Sequence, residues 1–332
     1  MADIALRNPQ FKNKDIPASG VLSSVCTITI DGTLRYTLIK NVEPSTSVNF
    51  DISELARDYL EIIYKGNFHA QYIDIVTSIT NHVDLNGQGS TVGTATTYTD
   101  RGFEAYGTFT DGVNPVLAPA YPRFLISGIT GQTDTNVEVL APTGKTTIVP
   151  NIDGSGNLSA NILSGSSTGI VWNGINLTVK RIDCTKYGDG TKVIFINKYG
   201  AQQELFFFLK KSNSIRRKNE SYKSNIITYP TNDHATYSVR NAPHKVLNTQ
   251  AQKTHRLCSG YYPEYANEYF EQLLLSEYIW MEIPSRENTA VNIITPVKVK
   301  TSSINFKTSV NDRLIEYTID FEEAYDYINN IR

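Results

Sequence analysis

The chain has 332 residues, enough for two or three domains. Its 31 Lys and Arg against 33 Asp and Glu leave a net charge of -2, so no single-sign field draws it to nucleic acid non-specifically. Aromatic content is 11%, mostly tyrosine, and the abundance of Thr, Ser, Val, Ile, Asn and Gly over helix formers points to short strands joined by turns.

The N-terminus lacks the apolar segment of a secretory signal and reads as a polar arm ordered against a neighbour. Two strand-like runs follow around Asp31-Gly32, a type I′ hairpin signal. The stretch 51–64, "DISELARDYLEIIY", predicts a helix. Asp51 is placed to cap it, and Ile52, Leu55, Ala56, Tyr59, Leu60 and Ile63 share a face. Residues 69–80 return to strand chemistry. Residues 86–97 read as a flexible polar loop, and Phe103, Tyr106 and Phe109 as anchors of a longer one. Pro115, Pro119 and Pro122 suggest a linker.

From 123 to 183, Thr/Val/Ile-rich runs alternate with Gly/Ser/Asn turns every 8 to 12 residues, the spacing of a small sandwich-like domain. Next, "TKVIFINKYG" and "QELFFFLKK" predict strands meeting at Tyr199-Gly200-Ala201. The basic run "KKSNSIRRKNESYK" reads as a solvated connection that keeps the phenylalanine strand from pairing at its edge. Pro263 opens a helix through Tyr269, Phe270, Leu273 and Leu274. Trp280 lies in a short strand. Two long strands joined at Asn311-Asp312 and a short helix capped at Asp320 end the chain. The expected class is mainly β with a few helices (α+β), in two or more sandwich-like domains: 1–120, 121–185 and 186–332.

Candidate chemistry is sparse. "APTGKTT" has Gly-Lys-Thr but Val139 where a P-loop needs its first glycine, so it reads as a hairpin turn. "NIDGSGN" lacks the closing Glu of an EF-hand, and "GDG" lacks the later glycine of a dinucleotide site. His69, His82, His234, His244 and His255 form no metal or triad spacing. Cys26, Cys184 and Cys258 show no C-x-x-C pair and read as buried or half-buried thiols. The residues give no sign of a catalytic, cofactor or metal site, and no apolar run approaches the ~18 residues that span a bilayer.

Three stretches carry a resemblance: "VIFINKYGAQQELFFFLKKSNSIRRKNESYKSNI", "YANEYFEQLLLSEYIWM" and "VKVKTSSINFKTSVNDRLIEYTIDFEEAYDYINNIR". They resemble ring-forming structural proteins of the tail or neck of crAss-like tailed bacteriophages and their relatives. "NFDISELARDYLEI" and "GFEAYGTFTDGVNP" look like N-terminal landmarks of that group. The likeness covers about half the chain and is strongest after residue 190.

The resemblance implies a virion protein of the tail or neck, made in the bacterial host cytoplasm and not an enzyme. It would connect portal and distal tail as a homo-oligomer of six or twelve copies, next to other tail, portal or neck proteins, with transient passage of DNA. Three adjacent phenylalanines point to both faces of a strand, so one face enters the core and the other meets a second layer, the Leu273-Leu274 helix or a neighbouring subunit. Phe206, Phe207 and Phe208, with Tyr199 and Trp280, are therefore candidates for the subunit interface. Lys210, Lys211, Arg216, Arg217 and Lys218 are candidates for electrostatic contact with an acidic neighbour or with DNA phosphates. Two other readings remain: a receptor- or carbohydrate-binding tail component, and a tail-associated hydrolase.

Overall fold

The computed structural model describes residues 1–66, 68, 71–107, 136–152, 158–172, 175–183, 190–231, 234–284, 292–307 and 314–325. The protein is mainly β: 56% of the described residues are strand and 7% helix.

The N-terminal part runs β1 (Ala2–Ala5), β2 (Phe11–Asp15), β3 (Ser23–Ile30), β4 (Thr33–Asn41), β5 (Ser47–Asp51), α1 (Ser53–Arg57), β6 (Ile73–His82) and β7 (Thr91–Phe103). Five strands form a sheet in the order β1-β7-β6-β3-β4, and β2 pairs with β5. Asp31 and Gly32 both take positive φ, 47° and 76°, as the hairpin signal requires. Asp31 also accepts the Asp74 N–H at 2.9 Å.

Three expectations fail here. The N-terminus is no free arm: β1 lies parallel to β7, and Ile4, Ala5 and Leu6 are buried. The helix expected over 51–64 is a single turn. Beyond it Leu60 and Ile62 are buried while Tyr59, Glu61 and Ile63 are exposed, a period of two. Asp51 caps nothing further along: its carboxylate accepts the Ser53 N–H and hydroxyl at 3.0 and 2.8 Å. Finally, the polar loop over 86–97 is largely strand, because Thr91–Phe103 pairs along β6. Burial pushes the Cys26 thiol in β3 up to about 11.

The middle part holds β8 (Asn136–Pro142), β9 (Thr147–Ile152), β10 (Leu158–Leu163), β11 (Gly169–Trp172) and β12 (Ile175–Ile182). The "APTGKTT" segment turns with Gly144 at φ 82°, but it joins two sheets and makes no hairpin. β8 runs parallel to β12, whereas β9 pairs with β10.

The C-terminal part holds β13 (Thr191–Ile196), β14 (Gln202–Phe207), β15 (Lys211–Lys223), β16 (Ile227–Thr228), β17 (Thr236–Tyr237), β18 (His244–Cys258), β19 (Tyr262–Pro263), α2 (Asn267–Leu275), β20 (Ile279–Pro284), β21 (Asn292–Val299), β22 (Leu314–Ile315) and β23 (Thr318–Glu323). Seven strands form one sheet, ordered β14-β13-β20-β21-β23-β18-β15. The expected terminal helix start is instead strand. Ile319, Phe321 and Glu323 are buried in alternation, and Thr318–Cys258 to Glu322–Thr254 are paired neighbours.

Strand alternation divides the core between the two faces of this sheet. Val193 and Phe195 join one cluster with Phe270, Leu273 and Phe321. Ile194, Ile196 and Trp280 join the cluster of the N-terminal part, where Tyr64 stacks 5.7 Å from Trp280. The N-terminal part thus packs on one face of the sheet and α2 on the other.

The phenylalanine run is finished within one copy. Phe207 meets Phe270 and Phe321 edge-on, with centroids 6.3 and 5.7 Å apart. Phe208 lies 5.8 Å from Tyr262, whose hydroxyl donates to the Phe206 carbonyl at 2.6 Å. Leu140, Ala141, Val149 and Leu163 of the middle part complete the same cluster. Phe206, Phe207, Phe208 and Trp280 are therefore core residues, with no open face for a neighbouring subunit. Tyr199 is half-buried against two core clusters, with Lys198 5.3 Å over its ring.

A buried carboxylate marks the seam between the middle part and β14. Glu204 accepts the Ile148 N–H at 3.0 Å and pairs with Lys192 at 3.2 Å, its side chain almost wholly covered. Burial holds its carboxyl well above the usual range; Lys192 and the Ile148 N–H offset this in part, while Glu282 adds to it. A raised carboxyl binds its proton more tightly folded than unfolded, so its stability contribution falls as pH rises through and above the ordinary carboxylate range. Glu204→Gln is expected to remove this slope: between pH 5 and 8 the melting temperature of the wild type should fall relative to that of the variant. Parallel curves would mean that Glu204 does not titrate differently on folding.

Candidate functional site

One feature does not fold back onto the body. β15 and β18 pair antiparallel from Lys211–Leu257 to Lys223–His244, with an irregularity after Glu220 that leaves Leu247 unpaired. β23 flanks β18 only over Thr254–Cys258. Outward from Ile215–Lys253 the pair is a free two-stranded ribbon, ~26 Å long to Lys223 at ~3.3 Å per residue. Its end carries the short β16–β17 pair, and Ser224 donates to the Pro243 carbonyl at 2.7 Å to close the outer turn.

Alternation explains the surface of this arm. One face carries Asn213, Ile215, Arg217 and Asn219 with half-buried Thr249 and Lys253 and buried Ala251; the other shows Ser214, Arg216 and Lys218 with Gln250 and Gln252. All thirteen residues of β15 are exposed. The outer half adds bare apolar side chains: Val239 is 89% exposed, Tyr229 71%, and Tyr237 and Leu247 69% each. Charge is equally lopsided. Residues 210–258 hold ten Lys and Arg against two Asp and Glu, a net of +8. The rest holds 21 against 31, a net of -10.

The base of the arm is firmly held. His255, buried, sits between Asn213 Oδ1 and Glu323 Oε1, 2.9 Å from each, so one ring ties both arm strands to β23. Arg256 clasps Asp320 through two bonds of 2.7 and 2.9 Å and holds that carboxyl below its usual range. Cys258 donates to Glu316 at 2.7 Å; burial first, then that carboxylate, raise its thiol.

Of the residues singled out from sequence, Lys211, Arg216, Arg217 and Lys218 come together on β15, and Lys210 stands at its root. The basic run is thus a strand and not a connection. His69 and Cys184 lie outside the described residues. His234 and His244 are exposed on the arm, and His82 is buried between Thr80 and the Gly89 carbonyl. Among the described residues no group of three or more His, Cys, Asp or Glu is placed to hold a metal ion. None of the described helices is long and apolar enough to cross a membrane.

Sequence reasoning missed β18 as the partner strand and His255 as the tether. A charge count by segment would have marked the arm. No family model, curated protein or solved structure matches the chain.

A two-stranded ribbon that buries little beyond Ala251 is marginal in water. Amide exchange in dilute monomer is therefore expected to be fast over Arg216–Lys223 and slow in β13 and β20, with protection appearing in the ribbon on assembly. Equal protection of ribbon and core in the monomer would contradict this.

Proposed function

We propose that the protein is a structural component of a bacteriophage virion, building a closed ring of identical copies in the tail or neck between portal and distal tail. The observation that supports this is the arm. The body covers its own phenylalanine core, yet it extends a ribbon whose β15 strand is exposed throughout and whose β18 strand buries little beyond Ala251. Such a ribbon gains stability only against something outside the chain. A closed ring uses heterologous contacts, in which one surface of each copy meets a different surface of the next. The tail or neck setting rests on the resemblance of the stretches after residue 190. Other tail, portal or neck proteins would lie above and below the ring, with DNA passing through.

Mass photometry and negative-stain microscopy over a wide concentration range test the reading. Closed assemblies of six or twelve copies are expected; open filaments or a persistent monomer would count against it. A second reading, a receptor- or carbohydrate-binding tail component, is favoured by the bare Tyr229 and Tyr237 rings at the arm tip, since flat aromatic faces suit sugar stacking. Glycan-array binding lost on Tyr229→Ala and Tyr237→Ala would support it over the first.

A further inference from the structure

We propose that the arm of one copy lies across the acidic face formed by α1 and α2 on the next copy. This rests on the ring reading above and names the surface that completes it.

Three observations lead there. The first is the split of charge, +8 on the arm and -10 on the rest, in a chain whose total is only -2. A copy therefore carries both halves of an electrostatic contact, and two copies in head-to-tail order satisfy both.

The second is where the body's carboxylates stand. Glu54, Asp58 and Glu61 are exposed on and just after α1. Glu271 and Glu277 are exposed along α2 and beyond its end. The two acidic segments adjoin, because Arg57 of α1 bonds Glu277 at 2.8 Å and Arg7 donates to the Leu275 carbonyl at 2.9 Å; both guanidinium groups are paired with Glu277 and Glu104 inside the copy.

The third is apolar exposure on both partners. Tyr59, Ile63 and Leu275 are exposed among the carboxylates, and Tyr229, Tyr237 and Val239 at the arm tip. Phosphate would satisfy the basic shaft but leave the tip wet; a protein face with carboxylates and apolar side chains satisfies both. Basic residues along β15 also keep its outer edge from pairing with a like strand, which directs the arm to a side-chain contact.

The test is a charge-swap pair in the full chain. The arm variant carries Arg216→Glu, Arg217→Glu and Lys218→Glu; the face variant carries Glu54→Lys, Asp58→Lys and Glu61→Lys. All six positions are exposed, and circular dichroism and melting temperature verify that each variant folds. Each alone is expected to need at least ~100-fold more protein to assemble than the wild type, since like charges then face each other. An equimolar mixture is expected to regain assembly, with the two variants alternating around the ring.

An arm variant that assembles like the wild type overturns the docking but leaves the ring reading standing. So does a mixture that fails as its components do. Duplex DNA binding lost in the arm variant while assembly is unchanged gives the arm to nucleic acid instead and likewise overturns the docking. A wild type that stays monomeric at every concentration overturns both.

Discussion

Glu104→Ala should cost about 3 kcal/mol of folding stability, the low end for breaking a buried ion pair, because Arg57 and Arg7 are partly exposed and keep Glu277. Glu104 is 4% exposed. It takes two bonds from Arg57, at 2.9 and 2.6 Å, and lies 3.8 Å from the Arg7 guanidinium. Arg57 and Arg7 also reach Glu277, at 2.8 and 3.4 Å. Without Glu104 two guanidinium groups would share one half-exposed carboxylate. The cluster joins β1, α1 and the end of β7 to the end of α2, so the loss falls on the contact between the N- and C-terminal parts. Denaturant unfolding of Glu104→Ala, Arg57→Ala and the double variant measures it. The double variant should cost clearly less than the sum of the two; strict additivity would mean that the pair is not coupled.

Phe270→Ala should be comparably damaging, about 3–5 kcal/mol, because the cavity it leaves cannot close. Phe270 is fully buried on α2 and meets Tyr317, Tyr262 and Phe207 edge-on at 5.0, 5.4 and 6.3 Å. Those rings come from the approach to β23, from β19 and from β14, so one side chain anchors α2 to distant parts of the sheet. A lower urea midpoint at unchanged slope is the expected result. A loss under about 1 kcal/mol would show that the aromatic cluster repacks around the gap.

Much of the body was legible in the sequence where one face of an element is buried. Asp31-Gly32 marks its hairpin because both positions need positive φ. "VIFI" and "ELFF" declare a strand covered on both sides. α2 follows from Tyr269, Phe270 and Leu273. The arm was not legible for the converse reason. "KSNSIRRKNESYK" is strand with neither face buried, so no alternation of apolar residues reports it, and polar residues in sequence look like loop. The same cause hid the strand from Thr91, exposed over most of its first half. At the C-terminus, the inward Glu323 that holds His255 broke the apolar pattern, and "DFEE" passed for a helix start. Of the two covers open to the phenylalanine run, the helix and not a neighbouring subunit is the one found. Phe206, Phe207 and Phe208 do need cover on both faces, but α2 and the middle part supply it within one copy. The demand for a neighbour moves from these rings to the arm.

A photoreactive benzophenone amino acid in place of Tyr237 tests that shift most directly. In assembled protein, illumination should give dimers linked from position 237 to peptides from 51–65 or 261–277 of another copy. Links confined to the same chain, or to other peptides of the neighbour, would contradict an arm that completes the next copy's acidic face.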